Sequence, residues 1–316
     1  MSQTSTPAGK VSELLQQLPN DPGLAIVFPG QGSQKASMGN DARAASELAR
    51  RIYATADETL GFALSALCAE GPDEVLTLTE NAQPAILATS MAILAAAIES
   101  GEIDRSPACV AGHSLGEYSA LVAAGSLAFE DAIRLVRERG RLMGAVKSGT
   151  LAAIVGLDEE TVLGICADSG AEVANFNAPT QTVVGGSPKA TEEACRLAKD
   201  RGGRGIPVKV SGAFHTSLMA PAAEAFSSVV EAAKIEQPQI TVIGNVSSQP
   251  LASSDDVRAD LASQIRSPVR WYQSVDLMAE RGVTRVMEIG PGQILTNQLK
   301  RSHPALEYYP WDEAGK

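Results

Sequence analysis

Ser114 stands at the centre of Gly112-His113-Ser114-Leu115-Gly116, a G-x-S-x-G pattern. An apolar segment, Cys109-Val110-Ala111, precedes it, and Leu115, Tyr118, Leu121 and Val122 follow at helical spacing. Strand, sharp turn and helix with Ser at the apex make a nucleophile elbow. A Ser hydroxyl is a weak nucleophile and needs a base within reach. The new helix also offers unpaired N–H groups, which suit a developing oxyanion. The motif alone recurs by chance; its strand and helix context is what points to catalysis.

The base is sought among three histidines. His113 adjoins the Ser and is expected to pack beneath the turn. His303 lies beside Lys300 and Arg301 near a polar C-terminus, as a solvated side chain would. His215, in Ser211-Gly212-Ala213-Phe214-His215-Thr216, sits in a loop after a strand and is the best candidate. No Asp or Glu between Ser114 and His215 stands out as a third member, because most fall on polar helix faces. A backbone carbonyl could orient the imidazole instead.

Arg139 is the remaining candidate. In the helical stretch 128–143, Ala132, Val136, Arg139 and Met143 share one stripe, with Arg134, Arg137, Glu138 and Arg141 opposite. An inward guanidinium needs an anionic partner. Periodicity leaves two partners open: an internal carboxylate, or a carboxylate on a substrate, which the planar fork fits.

These groups need a frame. Leu24–Phe28 reads as a strand running into Pro29-Gly30-Gln31-Gly32-Ser33-Gln34. Lys35 replaces the third Gly of a dinucleotide fingerprint, and the Walker A pattern also fails. The glycines instead let backbone N–H groups approach a reacting centre. Asn81-Ala82-Gln83-Pro84 reads as a helix start with Pro near the first helical position. Residues 149–210 give the order β-α-β-β-α-β, the split pattern of a small ferredoxin-like domain inserted in a larger one. Strands alternate with helices on both sides of it, so a mostly parallel α/β sheet is expected over 24–148 and 211–316.

The chain has 316 residues, 44% of them hydrophobic, a net charge of −11 and a mean hydropathy near zero. That balance describes a globular protein and argues against a nucleic-acid surface. The four scattered cysteines include no C-x-x-C and suggest reduced thiols in the cytoplasm. Ala85–Ile98 is too short to span a bilayer and reads as a buried helix, so no membrane role is expected. Residues 1–23 contain no apolar signal-peptide core and read as a flexible leader.

Together these residues resemble the malonyl-CoA:acyl-carrier-protein transacylases of fatty-acid synthesis and the related acyltransferase domains of polyketide synthases. The resemblance runs from about Leu24 to the C-terminus. It is carried by Gly30-Gln31-Gly32-Ser33-Gln34, Gln83-Pro84, Gly112-His113-Ser114-Leu115-Gly116-Glu117, Arg139-Gly140, Ala213-Phe214-His215, Pro268-Val269-Arg270-Trp271 and Gly290-Pro291-Gly292. The fold it implies is an α/β-hydrolase-like large domain with a ferredoxin-like insertion.

The resemblance also implies roles. Ser114 would carry an acyl ester and His215 would be its base, oriented by the carbonyl of Gln264. The N–H groups of Gln31 and Leu115 would form the oxyanion hole. Arg139 would bind a malonyl carboxylate, Gln83 would line the pocket, and Phe214 would crowd an α-methyl group. The implied substrates are a coenzyme A thioester and an acyl carrier protein, with no metal and no bound cofactor, in a monomer. Two other readings share parts of the pattern: a stand-alone acyltransferase of a polyketide pathway and an acyl-thioester hydrolase. Carrier proteins of the family are acidic, so a basic surface is expected among Lys189, Arg196, Lys199, Arg201, Arg204, Lys209, Arg270, Lys300 and Arg301.

Overall fold

The computed structural model describes residues 7–208, 210 and 212–310. Its strands are β1 (Asn20–Phe28), β2 (Ser106–Gly112), β3 (Thr150–Val155), β4 (Glu172–Ala178), β5 (Gln181–Gly186), β6 (Arg204–Val208), β7 (Thr241–Ile243), β8 (Pro250–Leu251), β9 (Arg285–Glu288) and β10 (Glu307–Pro310). The larger sheet has the order β10-β9-β1-β2-β7-β8 and is parallel except for β8. The smaller is antiparallel, in the order β4-β5-β3-β6.

Both faces of the larger sheet are covered, which explains why its central strands read as unbroken apolar runs. Ile26, Phe28 and Val110 point to one core layer, while Ala25, Val27, Cys109, Ala111 and Ile243 point to the other. Helix Thr79–Glu99 is apolar all round because it crosses the interior of the first layer. It is the one helix among the described residues long and apolar enough to cross a membrane, and 94% of its apolar window is buried.

Parallel register sets the site. Phe28 of β1 pairs with Gly112 of β2, and Ala111 with Ile243 of β7. The segments that follow β1, β2 and β7 therefore leave the sheet at one carboxyl edge, where open α/β sheets bind ligands. The smaller sheet is stitched to this edge. Val269 donates to the Ala174 carbonyl at 2.9 Å, and Phe176 donates to the Val269 carbonyl at 2.8 Å.

Two expectations need correction. Of the expected leader, residues 1–6 lie outside the described residues, but 7–23 are built into the fold. Helix Pro7–Gln17 buries Val11 and Leu15 completely, one helical turn apart, and β1 already begins at Asn20. The second concerns Pro84, which lies inside a helix that starts at Thr79. Proline has no N–H for the Glu80 carbonyl one turn earlier. Arg137 takes that carbonyl through Nη1 at 2.7 Å, so the break in the ladder is filled from the neighbouring helix.

Candidate active site

Ser114 lies two residues beyond the end of β2 and has φ 51°, in the left-handed region. Such a conformation costs a non-glycine residue energy and persists only when its surroundings impose it. Two features impose it here. A Cβ on Gly112 would lie 1.9 Å from the Gly116 carbonyl carbon, and one on Gly116 would lie 2.1 Å from the Phe28 carbonyl oxygen. Both glycines of the motif are thus required by close backbone approach. Asn245, just beyond β7, then clamps the turn. Its Oδ1 accepts from the Ser114 N–H and its Nδ2 donates to the Gly112 carbonyl, both at 2.7 Å.

His215 also has a left-handed backbone, with φ 63°. Its Nε2 lies 2.8 Å from Ser114 Oγ, and its Nδ1 lies 2.9 Å from the Gln264 carbonyl oxygen. A carbonyl accepts only, so Nδ1 carries the proton and Nε2 presents its lone pair to the Ser hydroxyl. Burial first, and then the nearby Arg139 charge, pull the His215 pKa down to about 3. The imidazole is neutral at ordinary pH, as a base must be.

Arg139, on helix Phe129–Ala145, is 1% exposed. Its Nη1 donates to Gln83 Oε1 at 3.0 Å, and its Nη2 donates to Ser114 Oγ at 3.1 Å and to Gln264 Oε1 at 2.8 Å. The guanidinium also lies over the Tyr118 ring, 5.5 Å from its centre. No ion pair joins Arg139 to a carboxylate among the described residues. The hydrogen-bond partners of this buried cation are all neutral and the Glu117 carboxyl acts on it only through space, so an incoming anion can pair with it directly.

Ser114, His215, Arg139, Gln31 and Phe214 line one cavity of about 1040 Å³. Gln83 does not reach its wall. It is fully buried behind Arg139, with Oε1 on the guanidinium and Nε2 on Met143 Sδ, so it holds the Arg rather than lining the pocket. The N–H groups of Gln31 and Leu115 donate to no acceptor among the described residues. The Ser114 N–H is already committed to Asn245. Among the described residues, no group of three or more His, Cys, Asp or Glu side chains could hold a metal ion.

The other two histidines depart from expectation. His113 is on the cavity wall, not beneath the turn, with Nε2 2.9 Å from Asn177 Oδ1 on β4 and its ring edge-on to Trp271. His303 is tied down by Asp276 and Ser302 rather than solvated. The expected basic surface is diluted. Arg196 pairs with Glu193 and Asp200, Arg201 pairs with Asp168, and Lys209 lies outside the described residues. Asn245 and the side chain of Gln264 escaped the sequence reading. The one signal was position: Asn245 lies two residues beyond the apolar strand β7, where a parallel sheet places its functional loops.

The acyl transferase domain model matches residues 25–308. The chain belongs to the acyl transferase family. Among its relatives, the malonyl CoA-acyl carrier protein transacylase of Bacillus subtilis is 44% identical over 293 residues, covering 90% of this chain and 92% of that protein. The crystal structure of an acyl carrier protein S-malonyltransferase from Vibrio cholerae superimposes with a TM-score of 0.89 at 40% identity, covering 92% of this chain and 97% of that one. A malonyl-transacylase in complex with a type II PKS acyl-carrier protein has a TM-score of 0.87 at 39% identity, covering 91% and 95%. All three match over about nine tenths of this acyltransferase chain.

Proposed function

We propose that this acyltransferase moves a malonyl group from malonyl-CoA to the phosphopantetheine thiol of an acyl carrier protein, through an ester on Ser114. The carrying observation is Arg139: a buried guanidinium with only neutral partners, 3.1 Å from the Ser hydroxyl. It supplies a counter-ion for an acyl group that ends in a carboxylate. The architecture fits an α/β-hydrolase-like domain, and the β-α-β-β-α-β run of residues 150–208 fits a ferredoxin-like insertion.

In the first half-reaction Ser114 Oγ attacks the thioester carbonyl as His215 Nε2 takes its proton. The oxyanion forms against the N–H groups of Gln31 and Leu115. The C–S bond breaks, and the CoA sulfur leaves with the proton from His215. In the second, the carrier thiol gives its proton to His215 and attacks the seryl ester. Ser114 Oγ departs and recovers that proton. The residues supply every group this sequence uses, and no resident metal or cofactor enters it. Phe214 on the cavity wall disfavours a branched acyl group by about 1–3 kcal/mol, the worth of one methyl.

A polyketide carrier as the acceptor is the second reading, favoured by the relative solved with a type II PKS carrier. The test is intact-mass analysis after mixing the enzyme with malonyl-CoA and a phosphopantetheinylated carrier. A malonyl adduct on the enzyme that passes to the carrier, and is absent in Ser114→Ala, supports the proposal. Free malonate with an unloaded carrier makes the protein a hydrolase.

A further inference from the structure

Behind the cavity, two carboxyl groups meet in the interior. Glu117, on the first turn of helix Gly116–Ala123, is fully buried, and Asp260, on helix Ser254–Gln264, is 6% exposed. Asp260 Oδ1 accepts from the Val246 N–H at 3.2 Å, in the segment that also carries Asn245. Glu117 Oε2 accepts from Gln264 Nε2. The second oxygen of each carboxyl, Glu117 Oε1 and Asp260 Oδ2, is buried with no other donor among the described residues. The two side chains are within hydrogen-bonding reach of each other. Two ionised carboxylates there would repel across a dry gap and leave two oxygens unsatisfied.

We propose that Glu117 and Asp260 share one proton, with Glu117 the neutral acid donating to the Asp260 carboxylate, and that this pair positions the Gln264 amide that aims Arg139. The division follows from the partners. Asp260 faces backbone N–H groups, which suit an anion. Glu117 faces one amide, which a neutral acid's carbonyl oxygen satisfies. Burial, and then Asp260 itself, push the Glu117 pKa well up; burial raises Asp260 too, but Glu117 and the backbone N–H groups of Val246, Ser247 and Asn245 pull it back toward the anion. The other charged or titratable groups around the pair are Arg139, from helix Phe129–Ala145, and Tyr118, beside Glu117.

The consequence runs through Gln264. A guanidinium has donors only, so the amide oxygen must face Arg139 and the NH2 must face away. That NH2 meets the Ser114 carbonyl at 3.1 Å and Glu117 Oε2. Glu117 is therefore the anchor against which Gln264 presents Oε1 to Arg139, and Glu117 is a positioning residue that touches no substrate. This role rests on the proposed use of Arg139 and Ser114, whereas the shared proton does not.

The test uses Glu117→Gln, Glu117→Ala and Asp260→Asn with two readouts. Infrared difference spectra at neutral pH report a protonated carboxyl without any turnover. Malonyl transfer to the carrier reports positioning. The expected result is a carboxylic-acid band in the wild type that vanishes in Glu117→Gln. Gln reproduces the neutral acid's donor and acceptor, so that variant keeps kcat/KM within about threefold, while Glu117→Ala loses roughly 30-fold. Asp260→Asn removes the carboxylate that accepts the Glu117 proton while burial keeps Glu117 neutral, so the band stays but shifts to higher frequency, and kcat/KM falls roughly tenfold. The proposal is overturned if no band is lost in Glu117→Gln, or if that variant is as damaged as Glu117→Ala while Asp260→Asn is silent. A band with all three variants fully active overturns the positioning role alone. Failure of Ser114 to acylate would leave the band intact and strike the parent reading instead.

Discussion

His215 Nδ1 meets the backbone carbonyl of Gln264 at 2.9 Å, where an acid would complete a Ser-His-Asp triad. The carbonyl fixes the tautomer and the ring direction but carries no net charge to stabilise an imidazolium. Arg139, close by, disfavours the imidazolium further. The same residue, Gln264, touches Arg139 with its side chain, so one position on helix Ser254–Gln264 holds both the candidate base and the candidate anion receptor.

The depressed His215 pKa gives a pH prediction. Labelling of Ser114 by a neutral fluorophosphonate should persist well below pH 6.5, because the base form survives toward about pH 3. In Arg139→Ala one cause of the depression is gone, so the acid limb should move to higher pH. Stability carries the opposite face of this shift. Between the unfolded value near 6.5 and about 3, the unfolded chain binds a proton that the native one does not, so native stability falls as pH falls through that window. His215→Asn should flatten the dependence of the urea midpoint on pH there.

Asn245 holds Ser114 in its strained turn with two short hydrogen bonds. Asn245→Ala takes that partner from the part-buried Ser114 N–H and from the buried Gly112 carbonyl. The expected cost is about 2 kcal/mol, read as a Tm drop of about 3 °C, together with slower labelling of Ser114. Asn245→Asp keeps the acceptor for the Ser114 N–H and should label faster than the Ala variant.

Pro84 and Arg137 form a coupled pair. Arg137→Ala bares the Glu80 carbonyl that Pro84 cannot satisfy, at a cost of about 1–2 kcal/mol in urea unfolding. In a Pro84→Ala background the helix supplies its own N–H, and the same substitution should cost less. A double-mutant cycle with additive effects would contradict this account.

Leu15 tests the N-terminal helix. Its side chain is fully buried, so Leu15→Ala should cost about 2–5 kcal/mol in urea unfolding. A loose leader would show no effect.

What the sequence disclosed and withheld has physical causes. The elbow at Ser114 was legible because its signal is local: two glycines, an apolar strand and a helical stripe within fifteen residues of chain. The inward face of Arg139 was legible from the helical period. Its partners were not, since Gln83 and Gln264 lie 56 and 125 residues away. Over Ser12–Leu18 the sequence suggests at most one or two helical turns; the full helix Pro7–Gln17 is not legible because flanking prolines and polar residues hide an apolar pair that only tertiary packing uses. Strands β8 and β10 are short edges of two and four residues, with too little alternation to read. The Glu117 and Asp260 pair is a product of folding alone, since each residue looks like an ordinary helix-face acid.

The central claim is that Arg139 reads the free carboxylate of the acyl group beside Ser114. The most direct measurement is the rate of Ser114 ester formation with malonyl-CoA and with acetyl-CoA, in wild type and Arg139→Ala, followed by intact mass. The account predicts a strong malonyl preference in the wild type. In Arg139→Ala it predicts a fall of roughly 100-fold or more for malonyl-CoA with little loss, or a gain, for acetyl-CoA, as expected for removing one buried charge partner. Equal losses with both donors would contradict it and leave Arg139 a purely structural cation.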